Sequence, residues 1–165
     1  NTHISILEVK KVDNNFHARF SALARIYEYK ILIRRAPLAL KQKRFWHVWK
    51  NLEIGPMIEA SDFLIGTHDF TTFRSSMCQS NSPIKTIDQI FIKEEQKENE
   101  KIIFFEIKAR SFLHNQVRSI VGSLEKVGSK KWLPNYLKTI LDKKDRQKCG
   151  PIAPPHGLYL KKIIY

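Results

Sequence analysis

The sequence predicts a single α+β domain over residues 1–165, and three patterns carry that expectation. From Tyr27 the odd positions read Tyr27, Tyr29, Ile31 and Ile33, a period of two that puts two rings and two aliphatic side chains on one face of a strand. Residues 84–93 and 101–109, the latter with the run Ile102, Ile103, Phe104 and Phe105, read as two further strands joined by a charged loop. Leu113, Val117, Ile120, Val121 and Leu124 recur instead at the spacing of a helix with one buried stripe. At 165 residues, with no internal repeat and no linker, the chain is long enough to bury one core and gives no sign of a second domain.

In chain order, residues 4–12 are rich in β-branched side chains and read as a first strand, closed by the turn-forming Asp13, Asn14 and Asn15. A polar entry with His17, Arg19 and Arg25 then leads into the strand of 25–33. Residues 41–50 mix cations with Phe45, Trp46, His47 and Trp49; the rings read as anchors of a connecting loop, with stacking on nucleic acid as the alternative. Pro56 suits a first helical turn, Met57, Ile58, Phe63 and Leu64 supply an apolar stripe and Gly66 a stop, so a helix is expected over 56–65. Residues 67–83 hold Phe70, Phe73 and Arg74 in a polar stretch and read as a long loop, functional or merely mobile. Residues 94–100 read as a hairpin loop whose acidity keeps RNA away.

Arg110 opens the clearest helix, on which His114 and Arg118, four apart, share one strip of surface, and Gly128 ends it. A partner carboxylate on a neighbouring element would suit Arg118, although an exposed arginine on an amphipathic helix fits the pattern as well. Trp132, Leu133 and Pro134 start another helix, with Tyr136, Leu137, Ile140 and Leu141 as its apolar face. Residues 149–156, with three prolines, form an irregular connector, and 157–165 a final strand.

Charge narrows the partners. The 29 Lys and Arg against 16 Asp and Glu leave a net charge of +13, which favours a polyanion, nucleic acid first. No apolar run nears the roughly 20 residues that span a bilayer, and neither a leader nor a lipidation signal stands out, so a soluble, cytoplasmic protein without membrane contact is expected. Cys78 and Cys149 have no metal-ligand spacing and are too few for a disulfide framework, which suits a reducing compartment and no bound metal. A start at Asn1, with a strand pattern already under way at Ile4, suggests a piece of something longer.

Mechanistic motifs are scarce: there is no phosphate-cradling glycine loop, no zinc-spaced set and no G-x-S-x-G turn. The residues alone give a basic α+β domain suited to nucleic acid, in which the Tyr27 strand is either a core strand behind a basic loop or a surface that holds a base. Four blocks go further. They are Phe16 to Ala22 continuing through Ala24, Arg25, Tyr27 and Tyr29; Asp69 to Arg74; Phe112 to Leu124; and Gly157 to Leu160. In this order, over nearly the whole chain, they resemble the bacterial tRNA pseudouridine synthase A family.

The resemblance implies an antiparallel sheet with helices packed on one face, equivalent to the C-terminal part of such an enzyme. It implies chemistry without metal or organic cofactor: an aspartate attacks a uridine, the base is detached, rotated and rejoined through carbon. The family's nucleophile lies in a Gly-Arg-Thr-Asp-Ala-Gly segment that does not occur here, and the six aspartates all have other neighbours. The chain is therefore expected to contain no catalytic nucleophile and to be inactive alone. The resemblance makes Tyr27 the ring that stacks on the uracil, Leu158 the apolar wall of the base pocket, and Arg118 the partner of the absent aspartate. Arg19, Arg25, Arg74, Arg110 and His114 are the expected tRNA-binding surface. The implied substrate is the anticodon stem-loop at about positions 38 to 40, bound by a homodimer; a non-catalytic RNA-binding module of the same fold is the alternative.

Overall fold

The computed structural model describes residues 4–165. Its centre is β1 (Ala24–Ile33), the strand on which the rest of the sheet is assembled. β5 (Glu100–Ala109) runs antiparallel along one edge, with Tyr27 opposite Ile107, Tyr29 opposite Phe105 and Ile31 opposite Ile103. The other edge is divided: β6 (Leu158–Ile164) pairs antiparallel with Ala24 to Tyr29, and β2 (Trp46–Val48) pairs parallel with Ile31 to Ile33. β4 (Ile84–Lys97) continues the sheet beyond β5, and β3 (Gly66–Asp69) closes it. The expected antiparallel pattern thus holds except at the short β2, which sits in the expected connecting loop and takes the half of the β1 edge that β6 leaves open.

The helices α1 (Ile54–Asp62), α2 (Gln116–Gly128) and α3 (Tyr136–Lys143) contribute to one apolar core with Tyr29, Ile31, Ile103, Phe105 and Ile107, as the α+β expectation requires. A smaller cluster of Leu32, Leu38 and Ile102, flanked by Phe45 and Phe104, covers part of the opposite face. Trp46 packs against the main core and Phe45 against the smaller cluster, so both are anchors, whereas Trp49 is exposed.

Several expectations are corrected. Residues 4–12 form no strand: Ile4, Ile6, Leu7 and Val9 are each more than three-quarters exposed, because no neighbouring strand takes up their backbone groups. The acidic loop shrinks to the turn at Glu98 and Asn99, since the ladder runs out to the Lys97 and Glu100 pair and Lys101 meets Glu94 across it at 3.4 Å. The stretch at 67–83 is not all polar loop. Its first part is β3 and a 3-10 turn (Thr71–Phe73) that buries Phe70 and Phe73 completely. α1 begins two residues before Pro56 and stops at Asp62, short of Gly66, whose φ of +102° turns the chain into β3.

The long helix starts at Gln116, not Arg110. Asn115 takes a left-handed conformation, φ +61°, and the Gln116 side-chain oxygen accepts a hydrogen bond from Leu113 N at 2.8 Å, fixing a bend where periodicity alone suggests continuous helix. His114 and Arg118 therefore do not share a helical strip.

α2 also sets the path of the connector from Gly150 to Ala153. A Cβ on Gly122 would stand 1.7 Å from the Pro151 carbonyl oxygen, and Ala153 N donates to Arg118 O at 3.1 Å. Gly122→Ala is expected to cost about 1–3 kcal/mol of unfolding free energy through overpacking. Urea unfolding reads this directly, and a parental midpoint would mean that the connector yields freely.

Candidate functional site

At the Ala24 end of β1 the sheet, the 77–80 loop and the bend before α2 enclose a cleft of about 900 Å³. Its walls include Arg19, Tyr27, Cys78, His114, Arg118 and Leu158. The local reasons are separate for each element. Alternation along β1 turns Tyr27 to the same face as Tyr29, but the core ends at Tyr29, which is fully buried, and leaves the Tyr27 ring half-exposed. Phe112 meets that ring edge-on, centroids 5.2 Å apart and planes at 89°, which fixes its plane. Leu158 opens β6 opposite Tyr29 and faces the same space.

Arg118 projects from the first turn of α2. Its Nε donates to Ala153 O at 2.6 Å and its Nη1 to Asn115 Oδ1 at 3.0 Å, both neutral acceptors. Among the described residues it forms no ion pair, and no Asp or Glu lines the cleft. The result is a half-buried cation facing a cleft that already holds Arg19, Lys85 and His114. Tyr29 lies beneath: burial pushes its hydroxyl far above the ordinary phenol range, the Arg118 charge opposing, so it keeps its proton and donates a hydrogen bond to Pro154 O at 2.6 Å.

The remaining predicted residues divide. Arg19, Arg25 and Arg110 meet beside Tyr27 in an adjoining recess of about 350 Å³, where Arg25 donates to the Arg19 and Arg110 carbonyls and so ties the basic entry to the end of β5. His114 is exposed at the cleft wall. Arg74 lies apart from these: its Nη2 donates to Cys78 O at 2.9 Å and Ser80 O at 2.7 Å, so it braces the 77–80 loop from behind.

Sequence reasoning assigned no role to Phe112, Asn115 or Cys78, all at the cleft. The left-handed Asn115 has a legible trace, since asparagine tolerates that conformation better than most residues. Burial raises the Cys78 thiol pKa, but hydrogen bonds from the Ser80 and His114 backbone and the nearby Arg74 charge outweigh it and hold the group below its ordinary value. Asp69, which opens the block from Asp69 to Arg74, sits outside the cleft. Burial is outweighed there by hydrogen bonds from Thr71 and by Lys144, which hold it below the usual carboxylate range. Among the described residues no group of three His, Cys, Asp or Glu could hold a metal ion, and no helix is long and apolar enough to cross a membrane.

The arrangement offers a flat ring, an aliphatic wall and uncompensated positive charge, which together suit a planar anionic ligand such as a nucleotide. Comparison with known proteins agrees with that chemistry. The chain is 49% identical to tRNA pseudouridine synthase A of Dinoroseobacter shibae over 162 residues, covering 98% of this chain and 63% of the relative. It is 52% identical to tRNA pseudouridine synthase A of Bartonella tribocorum and 49% identical to that of Sinorhizobium fredii, covering 98% of this chain and 64% of each relative. The chain thus spans a little under two thirds of the length of these curated relatives. The profile of one family, described as tRNA pseudouridine synthase, matches residues 60–165, which takes in Arg118 and Leu158, while Tyr27 is reached by the longer pairwise matches. Since that profile covers more than half of the sequence, the chain belongs to the tRNA pseudouridine synthase family.

Proposed function

We propose that the protein containing this chain isomerises uridine to pseudouridine in the anticodon stem-loop of tRNA, about positions 38 to 40, as a cytoplasmic homodimer without metal or organic cofactor. This chain contributes the base pocket and much of the RNA surface; the remainder of the protein contributes the nucleophilic aspartate. The observation that carries the reading is the cleft itself, in which Tyr27 and Leu158 flank a space that holds Arg118 and no carboxylate.

The chemistry follows from that arrangement. A uridine leaves its stack, at a cost of about a few kcal/mol, and lies between the Tyr27 ring and Leu158. Arg118 favours the ionised form of the incoming aspartate as an opposite charge does. The carboxylate attacks the uridine, the bond between the base and the sugar breaks, and the base rotates in the pocket. C5 then bonds to the sugar as the bond to the carboxylate breaks, the C5 proton passes to solvent and N1 takes up a proton in its place, so that the product is an isomer of the substrate. Arg19, Arg25, Arg110 and His114 hold the phosphates around the cleft mouth, and Arg74 serves them indirectly by bracing the 77–80 rim. RNA held in this way is recognised by shape and charge more than by base edges.

Tritium release from tRNA labelled at C5 of uridine tests the proposal. Full-length protein is expected to release label, and this chain alone none. Release by this chain alone would mean that one of its own six aspartates attacks. Binding without release by the full-length protein would instead make it a non-catalytic RNA-binding module.

A further inference from the structure

The acceptors around Arg118 are all uncharged, and that arrangement is what keeps the guanidinium available. Arg118 Nε is taken by Ala153 O and Nη1 by Asn115 Oδ1, while Nη2 makes no hydrogen bond among the described residues. A guanidinium has only donors, so the Asn115 oxygen must be the atom that faces it. Asn115 reaches this position because its own backbone is left-handed at the step from the bend into α2, where φ is +61°. Ala153 is held in turn by its N–H to Arg118 O at 3.1 Å, and Tyr29 fixes the next carbonyl, that of Pro154.

We propose that Asn115 is a positioning residue for the reaction. Together with the Ala153 carbonyl it forms a neutral cradle that fixes the Arg118 guanidinium by two edges and leaves Nη2 and the full positive charge for a carboxylate. The inference rests on the reading of Arg118 as the partner of the catalytic aspartate. A carboxylate at position 115 would orient Arg118 equally well, but it would consume the charge that the reaction needs. The side chain at 115 therefore has two requirements, an oxygen within reach and no charge, and asparagine meets both while tolerating the left-handed backbone.

The test separates these requirements in the full-length protein. Asn115→Gly removes the oxygen while suiting the positive φ, so the backbone is not strained and the thermal midpoint is expected to fall by no more than the loss of one hydrogen bond requires. Turnover should nevertheless fall by about 100-fold, as for a misplaced catalytic partner, with KM for tRNA little changed. Asn115→Asp restores an oxygen and adds a charge, and is expected to fall to the level of Arg118→Ala. Nitrogen-15 NMR of the guanidinium reads the cradle without catalysis: Arg118 should give distinct Nη signals in the parent that average together in Asn115→Gly. Parental turnover in both Asn115 variants, with Arg118→Ala inactive, would overturn the cradle and leave the role of Arg118 standing. Parental turnover in Arg118→Ala would overturn that role, and with it any catalytic purpose for the cradle. Unchanged Nη signals in Asn115→Gly would overturn the hydrogen bond on which the proposal stands.

Discussion

Tyr27→Ala in the full-length protein is expected to abolish turnover while tRNA binding stays within a few-fold of the parent. The ring is half-exposed, its plane is fixed by Phe112, and Leu158 lines the same cleft from the neighbouring strand, so the substitution removes one wall of the proposed base site without opening the core. A stacked base is worth about 1–3 kcal/mol, which largely offsets the cost of about a few kcal/mol of unstacking it from the RNA, and loss of its alignment costs about 100-fold in rate. Binding survives because Arg19, Arg25 and Arg110 lie in the adjoining recess and depend on the Tyr27 ring for none of their hydrogen bonds. Tyr27→Phe should retain most activity if stacking is the function of the ring. Single-turnover kinetics beside filter binding would measure both quantities, and parental turnover in Tyr27→Ala would remove the residue from the site.

Arg118→Ala is expected to have an effect of similar size and a different signature. An opposite charge beside a carboxylate lowers its pKa, so deleting Arg118 raises the pKa of the aspartate that it serves. The acid limb of the pH-rate profile should therefore move to higher pH, and the variant should lose activity at a pH where the parent is still fully active. The substitution also frees Ala153 O and Asn115 Oδ1, so some thermal stability is lost as well. Arg118→Lys separates the two effects, because it keeps the charge but cannot reproduce the two-edged grip. Kinetics across pH decide the matter: a reduced rate with an unmoved acid limb would leave Arg118 as a structural residue only.

Much of this site was legible because it rests on short-range periodicity. The alternation from Tyr27 to Ile33 was enough to put the Tyr27 ring on the core face and at its open end, and the strand runs as read, one residue longer at its start. The hairpin of β4 and β5 was visible in the same way. What failed were features decided by neighbours distant in sequence. Residues 4–12 have the composition of a strand, but composition does not supply a partner, and Ile4 and Leu7 remain in solvent. The stretch from Arg110 to Gln116 is spaced like a helix, yet one left-handed residue and one side-chain hydrogen bond delay the helix by six residues. Arg74 reads as a phosphate ligand from its place in a polar loop, and the fold adds that its Nη2 also engages the Cys78 and Ser80 carbonyls.

The divided edge of β1 has a consequence for timing. Tyr27 and Leu158 stand on strands whose pairing joins the beginning of the sheet to its last element, Ala24 opposite Ile164. Closing so long a loop is slow compared with forming the local β4 and β5 hairpin, since the entropy of closure precedes the contacts that reward it. During translation the hairpin and the helices therefore assemble while the β1 edge beside Tyr27 is still bare, and β2 has already taken the far half of that edge. The Leu158 side of the cleft is therefore expected to be added after much of the core. A chain stalled before Leu158 would be expected to fold much of its core and still lack the Leu158 wall of the cleft beside Tyr27.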